Sequence, residues 1–230
     1  MKFPPYQQGS MRSNAHPKAT YAAMITRMDS YVGRVLALLQ ELKLDGETLV
    51  LFTSDNGATT GGGMDPVFFD STAGLRGLKR DLYEGGIRAP MIVRWPGRIK
   101  AAQTSPQVWA HWDFLPTAAE LAGAKAPAGI DGISMVNALL HEKPGKQQKQ
   151  HEFLYWEFHE RGFFQAVRMG DWKAVRKGAG GPLELYDLKT DRAEQRNLAA
   201  AHPAVVAKIE SYLKTARTES ERWTLLKQQP

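Results

Sequence analysis

The sequence predicts an α/β fold: a mixed sheet flanked by helices, followed by a small antiparallel sheet with a carboxyl-terminal helix. Three observations predict it. A helical apolar stripe at residues 20–42 turns directly into an apolar, β-branched run at 48–53, which makes an α-turn-β unit. A second apolar run, Met91–Trp95, follows a glycine-rich stretch and precedes another helix. Beyond residue 147 the texture changes to short aromatic strands, closed by a last amphipathic helix.

Taken in order, residues 1–19 carry prolines and no periodicity and read as a loop or arm, with His16 a loop residue beside the first helix. Tyr21, Met24, Ile25, Met28, Val32, Val35, Leu38, Leu39 and Leu42 fall at spacings of three and four. They paint one apolar stripe, expected to pack against a sheet, with Thr20 as N-cap. Asp45-Gly46 ends that helix, and Thr48–Thr53 is expected to be a buried strand. Residues 57–70 form a loop centred on Gly61-Gly62-Gly63, without the Gly-Lys-Ser/Thr of a P-loop or the acidic ladder of an EF-hand. Asp113 reads as the N-cap of a helix from Phe114 to Ala122 that Gly123 closes. His111 and Asp113 have a His-x-Asp spacing, but the capping role for Asp113 is preferred to a metal site.

The polar stretch 141–150 carries Pro-Gly and is the expected boundary, dividing the chain into 1–147 and 148–230. Strands are expected at Phe153–Phe158, Phe163–Met169, Lys173–Arg176 and Leu183–Leu188, with Gly170-Asp171 as a turn. A helix from Pro203 to about Thr218 places Val205, Val206, Ile209, Tyr212 and Leu213 on one face, to cover the small sheet.

Composition narrows the chemistry. At 230 residues the chain is long enough for a substantial core. It contains no cysteine, which excludes disulfides, zinc-thiolate sites and thiol nucleophiles. A net charge of +6 suits an anionic ligand, yet the basic residues are scattered and no nucleic-acid motif accompanies them. No apolar run reaches the length of a membrane span, and Met1–Tyr6 has no signal-peptide core. Compartment stays open.

The chemistry concentrates between Thr48 and Val93. The first strand stops at Ser54-Asp55-Asn56-Gly57, which sets a carboxylate and an amide carbonyl at a strand's carboxyl edge. Those are hard oxygen donors suited to Ca²⁺ or Mg²⁺, and Gly57 lets the chain turn away. The plain alternative is an Asn-Gly turn with no ligand. Lys79 follows among glycines, on a loop between two strands, where it can reach an anion held at such a metal. Its plain alternative is a solvated surface lysine.

Taken together, Phe52-Thr-Ser-Asp-Asn-Gly57 and Gly77-Leu-Lys79 … Tyr83-Glu-Gly-Gly86-Ile-Arg88-Ala-Pro90 resemble the second metal motif and the lysine motif of the sulfatase family. That family belongs to the alkaline-phosphatase-like superfamily. The resemblance extends over Tyr21-Ala-Ala-Met24 and Asp29-Ser-Tyr-Val-Gly33, and over Leu185-Tyr-Asp-Leu188 … Glu194 … Asn197-Leu198 of a closing subdomain. It implies a partial alkaline-phosphatase-like sandwich, with Asp55 and Asn56 as Ca²⁺ ligands and Lys79 binding sulfate. It also implies a sulfuric ester hydrolase acting on aryl or carbohydrate sulfates, with Glu84 and Arg88 shaping the loop. Family members are commonly periplasmic, secreted or lysosomal.

The resemblance also marks what this sequence lacks. The family's nucleophile is a formylglycine made from Cys or Ser in a Cys/Ser-x-Pro/Ala-x-Arg context; here the nearest match, Ser71-Thr-Ala-Gly-Leu75, ends in leucine and follows the metal motif. The family's first acidic metal pair and upstream histidine are absent too. The expectation is half a site, inactive alone, with a missing amino-terminal portion as partner and an unpaired strand edge at 48–53. Two alternatives stay open: a non-catalytic module binding anions or sulfated glycans, and a phosphate-ester hydrolase of the same superfamily.

Overall fold

A computed structural model describes residues 15–140, 147–160, 162–178 and 180–221. The chain divides into two compact units. The first holds the residues up to Arg34, Thr53–Met91 and those from Phe153 onward; the second holds Val35–Phe52 and Ile92–Glu152. The expected boundary at 141–150 lies partly outside the described residues.

The core of the first unit is an antiparallel meander of β3 (Leu154–Phe158), β4 (Phe164–Met169), β5 (Trp172–Lys177) and β6 (Leu183–Asp187), in that spatial order. The turn between β4 and β5 falls at Gly170-Asp171, as the glycine's positive φ of 59° requires. Alternation along the strands separates two apolar clusters. Ala166, Val175 and Tyr186 pack with Leu82 and Tyr83 on one face. Val167, Ala174 and Leu185 pack with Ile209 of helix α5 (Pro203–Leu213) on the other. The small sheet is thus covered twice: by α5, as expected, and by residues 82–87, which hold the one-turn helix α2 (Glu84–Ile87).

Between those layers Asn197 accepts the N–H groups of Leu185 and Ala199, each at 3.0 Å, and Leu198 donates its own N–H to Leu185 O at 2.7 Å. The Leu185 … Glu194 … Asn197-Leu198 pattern is therefore a device that folds the β6–α5 connection back onto the sheet edge.

In the second unit, α3 (Phe114–Leu121) and α4 (Val136–Leu140) are organised by Asp113. Asp113 is fully buried, but its carboxylate does not cap α3. It accepts the N–H groups of Ala110 (2.8 Å) and Ile133 (2.9 Å) and meets His151 Nε2 at 2.8 Å. The expected N-cap is corrected accordingly, because Asp113 already has helical φ/ψ and its side chain points back and across. The exposed His111 is not its partner.

Two further expectations change. Helix α1 (Pro17–Glu41) begins at Pro17, not Thr20, with Thr20 N donating to His16 O at 2.9 Å. Proline suits that first position because its missing N–H would be unpaired there anyway. The stripe of α1 is also largely uncovered: Tyr21, Val32 and Leu39 are half-buried, no residue of the helix is fully buried, and Met24 is 64% and Val35 57% exposed. The strands β1 (Val50–Thr53) and β2 (Met91–Arg94) form a sheet only two strands wide among the described residues. The expected buried strand is accordingly half-open, with Phe52 and Ile92 exposed and one edge of β1 unpaired among the described residues. The end of β2 is pinned to the turn before β1, where Arg94 donates to both carboxylate oxygens of Asp45 at 2.5 and 3.0 Å.

Candidate functional site

The two motif segments meet through their backbones. Past the end of β1 the chain turns at Asp55-Asn56, and Gly57 N donates to Gly86 O at 2.8 Å. One residue further on, Ala58 O accepts the N–H of Lys79 at 2.7 Å. Thr53 Oγ1 adds a bond to Pro90 O at 2.9 Å. The turn carrying Asp55 and Asn56 and the loop carrying Lys79 are thereby stitched side by side, all inside the first unit.

The glycines permit this approach. A Cβ on Gly57 would stand 1.8 Å from Gly85 O. On Gly85 it would meet Gly77 O at 2.3 Å, and on Gly86 it would meet Asp81 O at 2.1 Å. The Gly85-Gly86 pair exists because the 76–81 turn and the 55–58 turn press against the same short helix. Within the 76–81 turn, Gly77 adopts a φ of 87° and Leu78 N donates to Asp81 Oδ2 at 2.8 Å.

At the surface of this construction Asp55 and Lys79 are exposed and Asn56 is half-buried. Asn56 Nδ2 donates to Gly57 O at 3.0 Å, which commits the amide nitrogen and leaves the amide oxygen as the donor toward a cation. The donor chemistry suits a hard divalent ion, but no group of three or more His, Asp or Glu residues placed to hold a metal ion occurs among the described residues. Two oxygens of the six to eight that Ca²⁺ takes do not make a complete site, so no catalytic step is derived through a metal.

Beneath the surface lies a polar layer that the sequence reading left without partners. Glu84, 3% exposed, receives Lys173 Nζ at 2.9 Å on one carboxylate oxygen and Arg88 at 3.2 Å on the other. Lys173 lies on β5 two residues from Val175, so strand alternation aims it at the same face and at residues 82–87. Burial pushes Glu84's pKa up, but Lys173, Arg168 and Arg88 outweigh it and the net shift is downward. Glu194 is shifted upward: burial dominates over the stabilising charge of Lys173. A second cluster joins the same segments. Tyr83 and Tyr186 both donate to Glu184 Oε2, at 2.5 and 2.7 Å. Arg76 lies 3.8 Å over the Tyr83 ring and donates to Tyr186 Oη at 2.9 Å. Burial, helped by Glu184, pushes the Tyr186 phenol up to about 12.

A family model described as Sulfatase matches residues 2–124, and one described as N-sulphoglucosamine sulphohydrolase, C-terminal, matches residues 77–220. The chain belongs to the sulfatase family. A sulfatase of Formosa agariphila is 35% identical over 212 residues, covering 82% of this chain and 37% of that protein. A solved structure of Ps i-CgsB in complex with k-i-k-neocarrahexaose superposes with a TM-score of 0.75 at 28% identity, covering 93% of this chain and 46% of that one. A structure of BT4656 in complex with its substrate D-Glucosamine-2-N, 6-O-disulfate gives 0.67 at 28%, covering 85% and 39%. The chain spans less than half the length of the relatives it matches.

Proposed function

We propose that this chain carries one half of a sulfuric ester hydrolase site: Asp55 and Asn56 contribute oxygen ligands to Ca²⁺, and Lys79 holds the sulfate group of an aryl or carbohydrate sulfate. The observation that carries the reading is the pair of backbone bonds, Gly57 N to Gly86 O and Lys79 N to Ala58 O, which hold a cation-binding turn against an anion-binding lysine. The net charge of +6 agrees with an anionic substrate. The neighbour solved in complex with its substrate, a disulfated glucosamine, supports sulfated sugars as the substrate class.

The nucleophile belongs elsewhere. Neither a cysteine nor a Ser-x-Pro/Ala-x-Arg segment occurs in the 230 residues, and on this reading a formylglycine and the remaining metal oxygens come from a further polypeptide segment. The open apolar stripe of α1 and the exposed Phe52 and Ile92 give such a segment apolar surface to cover. The purified chain, assayed with an aryl sulfate and calcium, is expected to show no turnover above buffer. Turnover by this chain alone would overturn the half-site reading.

A further inference from the structure

Three ionisable side chains lie sealed under the proposed site and take no part in it. Lys173 and Glu194 are wholly buried and Glu84 is 3% exposed. Lys173 Nζ donates to Glu84 Oε1 at 2.9 Å and lies 3.3 Å from Glu194 Oε1. Glu194 Oε2 accepts the backbone N–H of Glu84 at 2.6 Å. Two carboxylates thus share one buried ammonium, with Arg88 contributing from the rim at 3.2 Å. An apolar trio of similar volume would pack this sheet face at least as well, because desolvation offsets most of what a buried ion pair gains. The trio is therefore poorly explained as a source of stability. What it fixes is place.

Glu84 opens the short helix on which both site loops rest. Gly85 N donates to Arg76 O at 2.7 Å, and Gly86 O receives Gly57 N at 2.8 Å. A second tether runs in parallel, from Arg76 to the backbone carbonyl of Glu194 at 2.8 Å. The path from Lys173 to the surface is short: ammonium, Glu84 carboxylate, Gly85-Gly86 backbone, then the turns bearing Asn56 and Lys79. We infer that Lys173 and Glu194 are positioning residues, which hold the metal-binding turn and the sulfate-binding lysine in register by clamping Glu84 to the small sheet. The inference rests on the proposed reading of Asp55, Asn56 and Lys79 as the site.

The test is amide hydrogen exchange followed by NMR on the full chain, comparing wild type with Lys173→Met and Glu194→Gln. The Gly57 and Lys79 amides are the two that bridge the loops, and the Val167 and Val175 amides, on the two interior strands, report the sheet. In Lys173→Met the bridging amides should lose at least about tenfold more protection than the sheet amides, whose rates carry the global loss of stability. Glu194→Gln, which preserves shape and an acceptor for Glu84 N–H, should show the same pattern with a smaller change. Unchanged bridging amides in both variants would overturn the inference. So would equal loss of protection in loops and sheet in both, since the trio would then merely hold the sheet together. Calcium titration of the wild type tests the other reading separately: absence of binding would count against Asp55 and Asn56 as ligands and leave the exchange result standing.

Discussion

Two sets of charged residues meet in the first unit at residues 55–84 and have opposite surroundings. Asp55 and Lys79 stand exposed on adjacent turns; Glu84, with Lys173 and Glu194 against it, is shut away from water. The outer set makes few contacts that folding needs. The inner set is bound into the sheet, and removing Lys173 leaves two buried carboxylates without their ammonium. Sequence motifs such as Lys79 … Glu84-Gly85-Gly86 combine both kinds of residue, so a motif position is not by itself a site position.

That contrast can be broken most forcefully from inside. Lys173→Ala leaves two carboxylates facing each other without their ammonium and should cost about 3–5 kcal/mol in chemical denaturation. A cost near zero would mean that the trio is not the buried pair described. Gly86→Ala should come next, about 1–3 kcal/mol, because its Cβ would stand 2.1 Å from the backbone oxygen of Asp81 and the turn must move. Asp55→Ala belongs at the other end, within about 0.5 kcal/mol of wild type, because the residue is exposed. A large loss there would erase the distinction between outer and inner sets.

The pH profile sharpens the same contrast, and the two buried carboxylates act with opposite sign. Glu84 is held below its ordinary value of 4.5, so its contribution is complete above 4.5 and is lost as pH falls through its lower native pKa. Glu194 is held above 4.5, so stability declines as pH rises from 4.5 through its raised native pKa. Thermal melts should therefore show Glu84→Gln flattening the acid limb.

Much of this was legible beforehand, for identifiable reasons. The meander and α5 follow from two periodicities that agree: alternating strands give the sheet two faces, and the stripe ending in Ile209 covers one. Asp55, Asn56 and Lys79 stood out as candidates because glycines and strand ends flank them. The partners of Glu84 were not, since Lys173 is 89 residues away and looks like any strand lysine. Only the alternation that places it on Val175's face could have signalled it. Helix α1 teaches the converse. Its stripe is as regular as that of α5, yet none of its residues is buried, because periodicity says that a helix can cover a surface and not that the surface lies among the described residues.

The most direct test of the central claim is a calcium titration of the wild-type chain beside Asp55→Ala and Asn56→Ala, followed by isothermal calorimetry. A half-site of two oxygen ligands should bind weakly, with a dissociation constant of roughly 10⁻⁴–10⁻³ M or above, and each substitution should abolish the heat while leaving the melt unchanged. Isotherms that are identical in all three proteins would contradict the assignment of this turn as a metal site.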